Sequence, residues 1–197
     1  MPATDSAVKP ARAASSRVQL PDLTQLSEAQ QQVAKEVAAG PRGEVRGPVL
    51  VWLHSPELAA RAQKLGEFLR WGTVLEPRIS ELVILVTSRH YNCHYIWFNH
   101  VNLALKGGLA PDAVECIKNR QEPSFDKPDE AAAYAFAREV LLNHAVSDAT
   151  LAKVRALFGE RGAVEMGTII GHYHSGAIAL GLADINLPDG SKTCLPL

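Results

Sequence analysis

Proline and glycine divide this chain into a series of helical segments. Four prolines stand directly in front of runs of helix-forming residues, namely Pro56, Pro77, Pro111 and Pro128. A proline suits the first helical position, because the N–H that it lacks would have no partner there. The Gly107-Gly108 pair closes another run, as glycines commonly do at a helix C-terminus. No stretch shows the convincing alternation of a half-buried strand, so the sequence predicts an all-α protein.

Periodicity and cap signals together predict about seven or eight helices. Thr24 or Ser27 offers an N-cap for the first helix, and Ser55 and Ser147 offer caps for two later ones. The segment that begins at Pro77 is apolar nearly all round and also permits a strand, but its length and charged start favour a helix. The predicted helices lie at 24–39, within 49–71, within 76–91, at about 93–106, in a short stretch from 111, and at 129–144, 148–158 and 163–181.

The length of 197 residues fits one domain with a sizeable core. Residues 1–20 are rich in Ala, Ser and Pro, and they bury too little apolar surface to offset the entropy of ordering, so we predict a disordered tail. Residues 21–185 hold the helical segments and form the predicted domain. Residues 186–197 contain a Pro-Asp-Gly turn and no clear core pattern, which predicts a C-terminal tail.

Charge and hydropathy argue against several classes of partner. Twenty Lys and Arg residues balance twenty-one Asp and Glu residues, so the net charge of −1 favours neither nucleic acid nor an anionic membrane. No apolar run approaches the roughly 18–20 residues of a membrane span, and the N-terminus lacks the apolar core of a secretory signal. Three widely spaced cysteines do not predict a disulfide scaffold. We therefore expect a cytoplasmic protein.

The segment 90–100, HYNCHYIWFNH, carries more reactive side chains than a packed core requires. Helical spacing places Cys93, Trp97 and His100 on one face. Two turns, roughly 10 Å, separate the thiol from the imidazole, which is too far for a direct hydrogen bond in a straight helix. A bound substrate or a water molecule could bridge them. We interpret this segment as the wall of a pocket.

Metal binding is an alternative role for the same segment, because cysteine and histidine are common zinc ligands. The spacing does not support it, since no pair of these residues shows a recognised double-ligand pattern. His172 and His174 lie two residues apart on a predicted helix and therefore point to nearly opposite sides. We predict no metal site and no cofactor.

Glu81 is the other notable polar group, because it lies in the apolar stretch ISELVILV. Burial raises the pKa of a carboxyl group and suits it to proton transfer near neutral pH. An equally good interpretation is an ion pair with Arg78 or Arg89. If the helices that carry Glu81 and His100 form an antiparallel hairpin, these two side chains can meet, and the break near residues 91–92 permits that hairpin.

These features resemble the carboxymuconolactone decarboxylase family, which includes the alkylhydroperoxidase D-like (AhpD-like) proteins. The similarity is most specific in GPVLVWLHSPELAARAQKLGEFLRW, PRISELVILVTSRHYNCHYIWFNH and ALKGGL. Arg78, Glu81, Trp97 and His100 follow the order of the family motif. The resemblance implies an all-α, single-domain AhpD-like helical bundle that assembles as a homo-oligomer (trimer, hexamer or dimer), with active sites often near subunit contacts.

The chain departs from both branches of the family at Ile96. The peroxidase-like branch has a Cys-x-x-Cys pair before a histidine, and Ile96 stands where the second cysteine would be. A two-thiol peroxidase cycle needs that second sulfur to form its disulfide. Many longer, decarboxylase-like members carry a glutamate–tryptophan pair at 96–97, and Ile96 removes that carboxylate too. The departure implies an altered pocket, with a changed substrate, changed chemistry or lost activity.

Three functions follow from the resemblance and its departures. The first is a carboxymuconolactone decarboxylase-like lyase that acts on a small carboxylated or lactone-type substrate, by decarboxylation or isomerisation without a cofactor. The second is a thiol-dependent, alkylhydroperoxidase-like antioxidant that uses Cys93. The third is a non-catalytic oligomeric binding protein on the same scaffold.

The lyase hypothesis gives each candidate residue a role. His100 is the general acid or base, and Glu81 orients it or relays its proton. Arg78 or Arg89 binds a substrate carboxylate through a bidentate contact. Cys93 is a further candidate catalytic group. The other predicted substrate-binding residues are His94, Trp97, which walls the pocket, and His174.

Overall fold

The computed structural model describes residues 17–191 and 193–196, and all regular structure in that part of the chain is helical. The predicted all-α class is therefore confirmed, and the described chain forms one domain. The helices are α1 (Glu28–Ala39), α2 (Pro48–Trp52), α3 (Pro56–Trp71), α4 (Pro77–His90), α5 (His94–Lys106), α6 (Pro111–Lys118), α7 (Pro128–Asn143) and α8 (Asp148–Ala183).

Helix starts follow the proline and serine signals of the sequence. Helices α3, α4, α6 and α7 each begin at the proline that predicted them. Ser27 caps α1 in a capping box, in which its backbone N–H donates to Gln30 Oε1 at 2.9 Å. Ser147 caps α8 by accepting from the Thr150 N–H. Ser55 differs, because its side chain makes no capping hydrogen bond to α3.

Two elements differ from the sequence prediction. The residues before Pro56 form the separate short helix α2, which follows Gly47 with a φ of 60°. The C-terminal helix α8 is one element where two were predicted, and it breaks at Gly159, whose φ of 69° and ψ of 179° are not helical. Glycine adopts this conformation without the steric cost that a side chain would add. The predicted boundary after residue 158 thus exists as a break inside α8.

Helix α4 is the centre of the fold. Every residue from Arg78 to Arg89 is buried, and α4 packs against α5, α7 and α8. A helix that is apolar nearly all round needs such neighbours on every side. A second, smaller core joins α1, α2 and α3 to the C-terminal part of α8, with Val37, Leu53 and Ala179 at its centre. Together these contacts hold α5 and α8 against α4, and α3 against α8.

Parts of both predicted tails lie on the helical domain. The Val18 N–H donates to Leu182 O at 3.1 Å, so the chain from residue 17 contacts the end of α8. Residues 1–16 of the predicted N-terminal tail lie outside the described residues. In the predicted C-terminal tail, Leu187 and Leu195 are buried, although the sequence showed no core pattern there. Among the described helices, none is both long and apolar enough to cross a membrane.

Candidate acid–base site in an arginine-lined cavity

Helices α4 and α5 form a tight antiparallel hairpin that brings Glu81 and His100 together. The turn contains Asn92 in the left-handed conformation, with a φ of 50°. Across the hairpin, His100 Nδ1 lies 2.7 Å from Glu81 Oε2, and both side chains are buried. Charge-assisted bonds of this length are strong and directional. The two groups that the sequence placed on separate helices thus form one hydrogen-bonded pair.

The bond to Glu81 determines which ring nitrogen of His100 can act. The Glu81 carboxylate accepts a hydrogen bond from the Nδ1–H group, so Nε2 is the nitrogen left to meet a ligand. The Tyr173 ring packs edge-on against the imidazole, with 5.1 Å between centroids and an interplanar angle of 89°. This contact restricts ring rotation. Burial raises the pKa of the Tyr173 hydroxyl, so the phenol stays protonated as a hydrogen-bond donor.

His100 lines a small cavity of about 60 Å³. The loop between α1 and α2 covers one side of it, and Gly47 in this loop permits close contact with Tyr95, because a Cβ there would lie 2.8 Å from the Tyr95 ring. Helices α3, α5 and α8 supply the other walls. The polar and aromatic side chains in the lining are Arg42, Arg46, Arg70, Tyr95, Asn99, His100, His172 and Tyr173.

Three guanidinium groups make the cavity strongly cationic. Burial and the nearby charge of Arg70 lower the pKa of Arg42, and Arg46 acts in the same direction. Arg46 has a partner on the protein surface, Glu44, at 3.3 Å. No ion pair is formed by Arg42 or Arg70 with any residue of 17–191 or 193–196. No Asp or Glu among the described residues lines the cavity, which is therefore suited to an anionic ligand.

His172 adds a neutral polar group beside these arginines. Burial, and secondly the charge of Arg42, lower its pKa to about 4, so the ring is uncharged at neutral pH. Gly66 on α3 makes room for it, since a Cβ at Gly66 would lie 2.7 Å from His172 Nε2 and 3.3 Å from Arg42 Nη2. His172 and Arg42 therefore converge on one point of the cavity wall.

The two arginines that the sequence suggested for substrate binding lie elsewhere. Arg78 donates to Asp129 Oδ2 and to Glu130 Oε1, each at 2.6 Å, and the bond to Asp129 is the main cause of its raised pKa. Arg89 donates to Lys118 O at 2.6 Å and also contacts Asn92 and Pro196. Neither side chain lines the cavity that contains His100. Arg78 joins α4 to α7, and Arg89 joins α4 to the end of α6 and to the C-terminal segment.

Cys93 and Trp97 also lie away from the cavity. Cys93 is buried at the N-cap of α5, and burial raises the pKa of its thiol to about 11. Trp97 is buried and faces a shallow groove between α5 and α6, whose rim includes Cys194. The structure therefore does not bring the thiol or the indole to His100, although all three share α5 or its cap.

His94 and His174 contact other parts of the chain. His94 Nδ1 accepts from the backbone N–H groups of Cys194 and Leu195, each at 3.1 Å, and so holds the C-terminal segment against α5. His174 stacks on Tyr91, with 4.2 Å between ring centroids and an interplanar angle of 9°. Neither histidine lines the cavity.

Sequence reasoning missed the arginines and the neutral histidine of the cavity. Arg42 and Arg46 lie in a glycine- and proline-rich loop about sixty residues from His100 in sequence, and His172 lies about seventy residues beyond it. Only tertiary packing joins them. The sequence did contain one signal for the cavity wall, because Ile96 and His100 are four residues apart and therefore share a helix face.

In the described residues, no group of three or more His, Cys, Asp or Glu side chains is arranged to hold a metal ion.

The fold belongs to the AhpD-like class of helical bundles. A structure from Agrobacterium tumefaciens, a protein of unknown function described as a candidate antioxidant defence protein AhpD, superposes with a TM-score of 0.59 at 20% sequence identity. The match covers 73% of this chain and 99% of that chain. It confirms the predicted AhpD-like architecture.

Part of the chain also matches a family at the level of sequence. Residues 56–139 match the model of the carboxymuconolactone decarboxylase family, which confirms the resemblance over this segment. The segment contains Arg70, Glu81 and His100. The loop that carries Arg42 and Arg46 precedes it, and α8 follows it. No curated protein matches the chain significantly.

Proposed function

We propose that this protein is a cofactor-free acid–base lyase or isomerase that acts on a small carboxylated or lactone-type substrate. The observation that carries the proposal is the 2.7 Å bond between Glu81 and His100 at the wall of an arginine-lined cavity. A buried imidazole that is oriented by a carboxylate is a common arrangement for general acid–base catalysis. The match of residues 56–139 to the carboxymuconolactone decarboxylase family supports the reaction class, and the cationic lining supports the substrate class.

The cavity residues account for each requirement of such a reaction. Arg42 or Arg70 binds a substrate carboxylate, by a bidentate contact where the geometry allows. In decarboxylation, the electrons of the broken C–C bond move into an adjacent carbonyl or conjugated system as carbon dioxide leaves. Protonated His100 then delivers a proton from Nε2 to the carbon. In isomerisation, neutral His100 removes a proton from one carbon and returns it to another.

Neighbouring groups stabilise the charges that form. Glu81 stabilises the imidazolium form of His100 and fixes its ring orientation through Nδ1. The Tyr173 hydroxyl and neutral His172 are donors on the same wall, available to an enolate oxygen. Because these groups are held in place by packing before a substrate arrives, little reorganisation is needed during the reaction.

The test is carbon dioxide release from carboxymuconolactone by the purified protein and by His100→Asn. We expect release from the wild type and a loss of at least about 10²-fold in the variant. His54→Gln is the matched control, because His54 is an exposed histidine outside the cavity. Release that is equal in His100→Asn and the wild type would rule out the assigned role. A folded wild type without any turnover favours the non-catalytic binding protein.

A thiol peroxidase is the second candidate, and one contact favours it. The C-terminal segment places Cys194 against His94, the residue after Cys93, with Cys194 Sγ 3.3 Å from His94 O. The raised pKa of Cys93 opposes it, because the thiolate is the reactive form. Consumption of cumene hydroperoxide with dithiothreitol separates the two candidates. Consumption that is lost in Cys93→Ser and kept in Cys116→Ser establishes the peroxidase and displaces the lyase proposal.

A homo-oligomer in the cytoplasm is part of the same proposal. The outer face of α8 supports self-association, because Val164, Ile178 and Leu182 share that face and are 69%, 53% and 48% exposed. Exposed apolar side chains that recur on one helix face commonly mark an interface between proteins. The odd number of cysteines, three, supports a reducing compartment.

A further inference from the structure

Ile96 occupies a wall of the cavity that is otherwise rich in cations. It lies on α5, four residues before His100 and on the same helix face, and it is only 5% exposed. Its Cδ1 atom packs near Gly176 of α8, 3.9 Å from where a Cβ would stand. Ile96 thus lines the same small space as Arg42, Arg46 and Arg70 with a side chain that carries no charge.

Within residues 17–191 and 193–196, no carboxylate offsets the repulsion between Arg42 and Arg70. Burial, and then the charges of Arg70 and Arg46, lower the pKa of Arg42, as expected for guanidinium groups that share a cavity. Neither Arg42 nor Arg70 has a carboxylate partner within the described chain. Partly buried cations need a counter-charge, because solvent compensates them poorly. Ile96 lines the same cavity of about 60 Å³, so an acidic side chain at position 96 would enter the space that these arginines face.

We propose that Ile96 is a specificity-determining residue. Because it places no carboxylate beside Arg42 and Arg70, the cavity selects ligands that carry an anionic group. The ligand supplies the missing charge and binds where an acidic side chain at position 96 would otherwise pair with the arginines. Positions 96 and 100 lie about one turn, or roughly 6 Å, apart along α5, so the anionic group and the catalytic imidazole share one cavity wall. This inference refines the proposed function by defining the ligand class.

Succinate, with uncharged succinamide as its counterpart, is the probe for calorimetric titration of the full-length protein. We expect the wild type to bind succinate, with an affinity that falls as salt rises, and to bind succinamide at least tenfold more weakly. Ile96→Glu supplies an internal anion, so its affinity for succinate should fall at least tenfold. Ile96→Gln introduces nearly the same shape as Ile96→Glu without the charge, so its affinity for succinate should fall less. The affinity of Ile96→Leu should stay within about threefold of the wild type.

Circular dichroism and melting temperature establish whether each variant folds, and Ile96→Glu should melt above Ile96→Gln because it pairs with the arginines. Ile96→Asp, a smaller acid, replaces the glutamate variant if that variant does not fold. The inference is overturned if the wild type does not prefer succinate to succinamide. It is also overturned if the acidic variant binds succinate as tightly as the wild type, or if the glutamine variant loses as much affinity as the acidic one.

The same variants distinguish this inference from the proposed reaction. Succinate binding that follows the expected order, without carbon dioxide release from carboxymuconolactone, upholds the role of Ile96 and rejects that reaction. Carbon dioxide release that is equal in Ile96→Glu and the wild type upholds the reaction and rejects the role of Ile96.

Discussion

His100 Nδ1 and Glu81 Oε2 meet at 2.7 Å across the α4–α5 hairpin, in the interior of the domain. The two residues lie 19 positions apart, and the turn at residues 91–93 folds one helix back on the other. Because the carboxylate holds Nδ1, the ring can exchange a proton with a ligand only through Nε2. The pair therefore defines the direction in which a reacting carbon must approach.

Glu81→Gln tests the pair without removing its shape. The amide can keep a hydrogen bond to His100, but it cannot stabilise the imidazolium, and it can donate to Nδ1 and so favour the wrong tautomer. We expect carbon dioxide release from carboxymuconolactone to fall by about 10²-fold or more, with an unchanged helical circular dichroism spectrum. Glu57→Gln, on the exposed face of α3, should keep wild-type turnover. Equal turnover in both variants would show that Glu81 is only structural.

The sequence predicted the elements of this pair well, because its signals are local. Pro77 fixed the start of α4, and the break before α5 permitted the hairpin. The cavity around His100 was not predictable in the same way. Arg42, Arg70 and His172 come from three separate parts of the chain, and no local pattern indicates that their side chains converge.

The same limit explains the placement of Arg78 and Arg89. From sequence, an arginine beside an apolar run is equally compatible with binding a substrate and with an internal ion pair. The two closest acidic partners of Arg78, Asp129 and Glu130, lie on α7 about fifty residues away, and only the folded chain brings them near. Long-range pairing of this kind depends on packing geometry and not on residue type.

Arg78→Ala should destabilise the fold without changing ligand recognition. It leaves Glu130, which is 4% exposed, with only the more distant Lys127 ammonium at 3.7 Å as a partner. The free energy of unfolding should therefore fall by up to about 3–5 kcal/mol, the cost of an uncompensated buried charge. Urea unfolding measures the loss. Arg155→Ala removes an exposed pair with Glu160 and should cost at most about 1 kcal/mol. A loss of succinate affinity in folded Arg78→Ala would instead place Arg78 in the binding site.

His172 should make the protein less stable in acid. Its folded-state pKa of about 4 lies below the ordinary value of 6.5, so between these pH values the folded protein binds fewer protons than the unfolded chain. The stabilisation that depends on neutral His172 is fully present above pH 6.5 and is lost as the pH falls towards 4. The total loss in the free energy of unfolding is about 3 kcal/mol.

The difference between the wild type and His172→Gln isolates this contribution, because other acid-sensitive groups such as Asp129 and His90 are present in both proteins. Free energies of unfolding from urea titrations between pH 7.5 and 4 should fall less steeply in His172→Gln. His144→Gln, an exposed histidine, should keep the wild-type slope. Parallel curves for the wild type and His172→Gln would contradict the lowered pKa.

The apolar face of α8 predicts self-association that acidic substitutions disrupt. Light scattering after size exclusion should give a multiple of the 21.3 kDa chain mass. Ile178→Glu combined with Leu182→Glu should shift the protein towards the monomer, because charges on this face oppose its burial. Leu58→Glu is the control, since Leu58 is 51% exposed on α3. A wild-type monomer, or an equal shift in the control, would exclude α8 as the interface.

Gly66 and Gly171 offer a matched pair of glycine-to-alanine substitutions with opposite expected results. At Gly66, the new Cβ would lie 2.7 Å from His172 Nε2 and 3.3 Å from Arg42 Nη2, so both side chains must shift within the cavity. At Gly171, the new Cβ meets nothing within 4 Å. Gly171→Ala should therefore stabilise the protein by up to about 1 kcal/mol, because alanine is the better helix former.

Gly66→Ala should weaken succinate binding at least about fivefold, since it displaces Arg42 from the position that the folded chain gives it. Its melting temperature should fall or stay near that of the wild type, whereas that of Gly171→Ala should rise. Calorimetric titration and thermal unfolding of the two variants give both comparisons. If Gly66→Ala binds succinate like the wild type while Gly171→Ala is stabilised as expected, then Arg42 is not the group that holds the anion, and Arg70 becomes the residue to test.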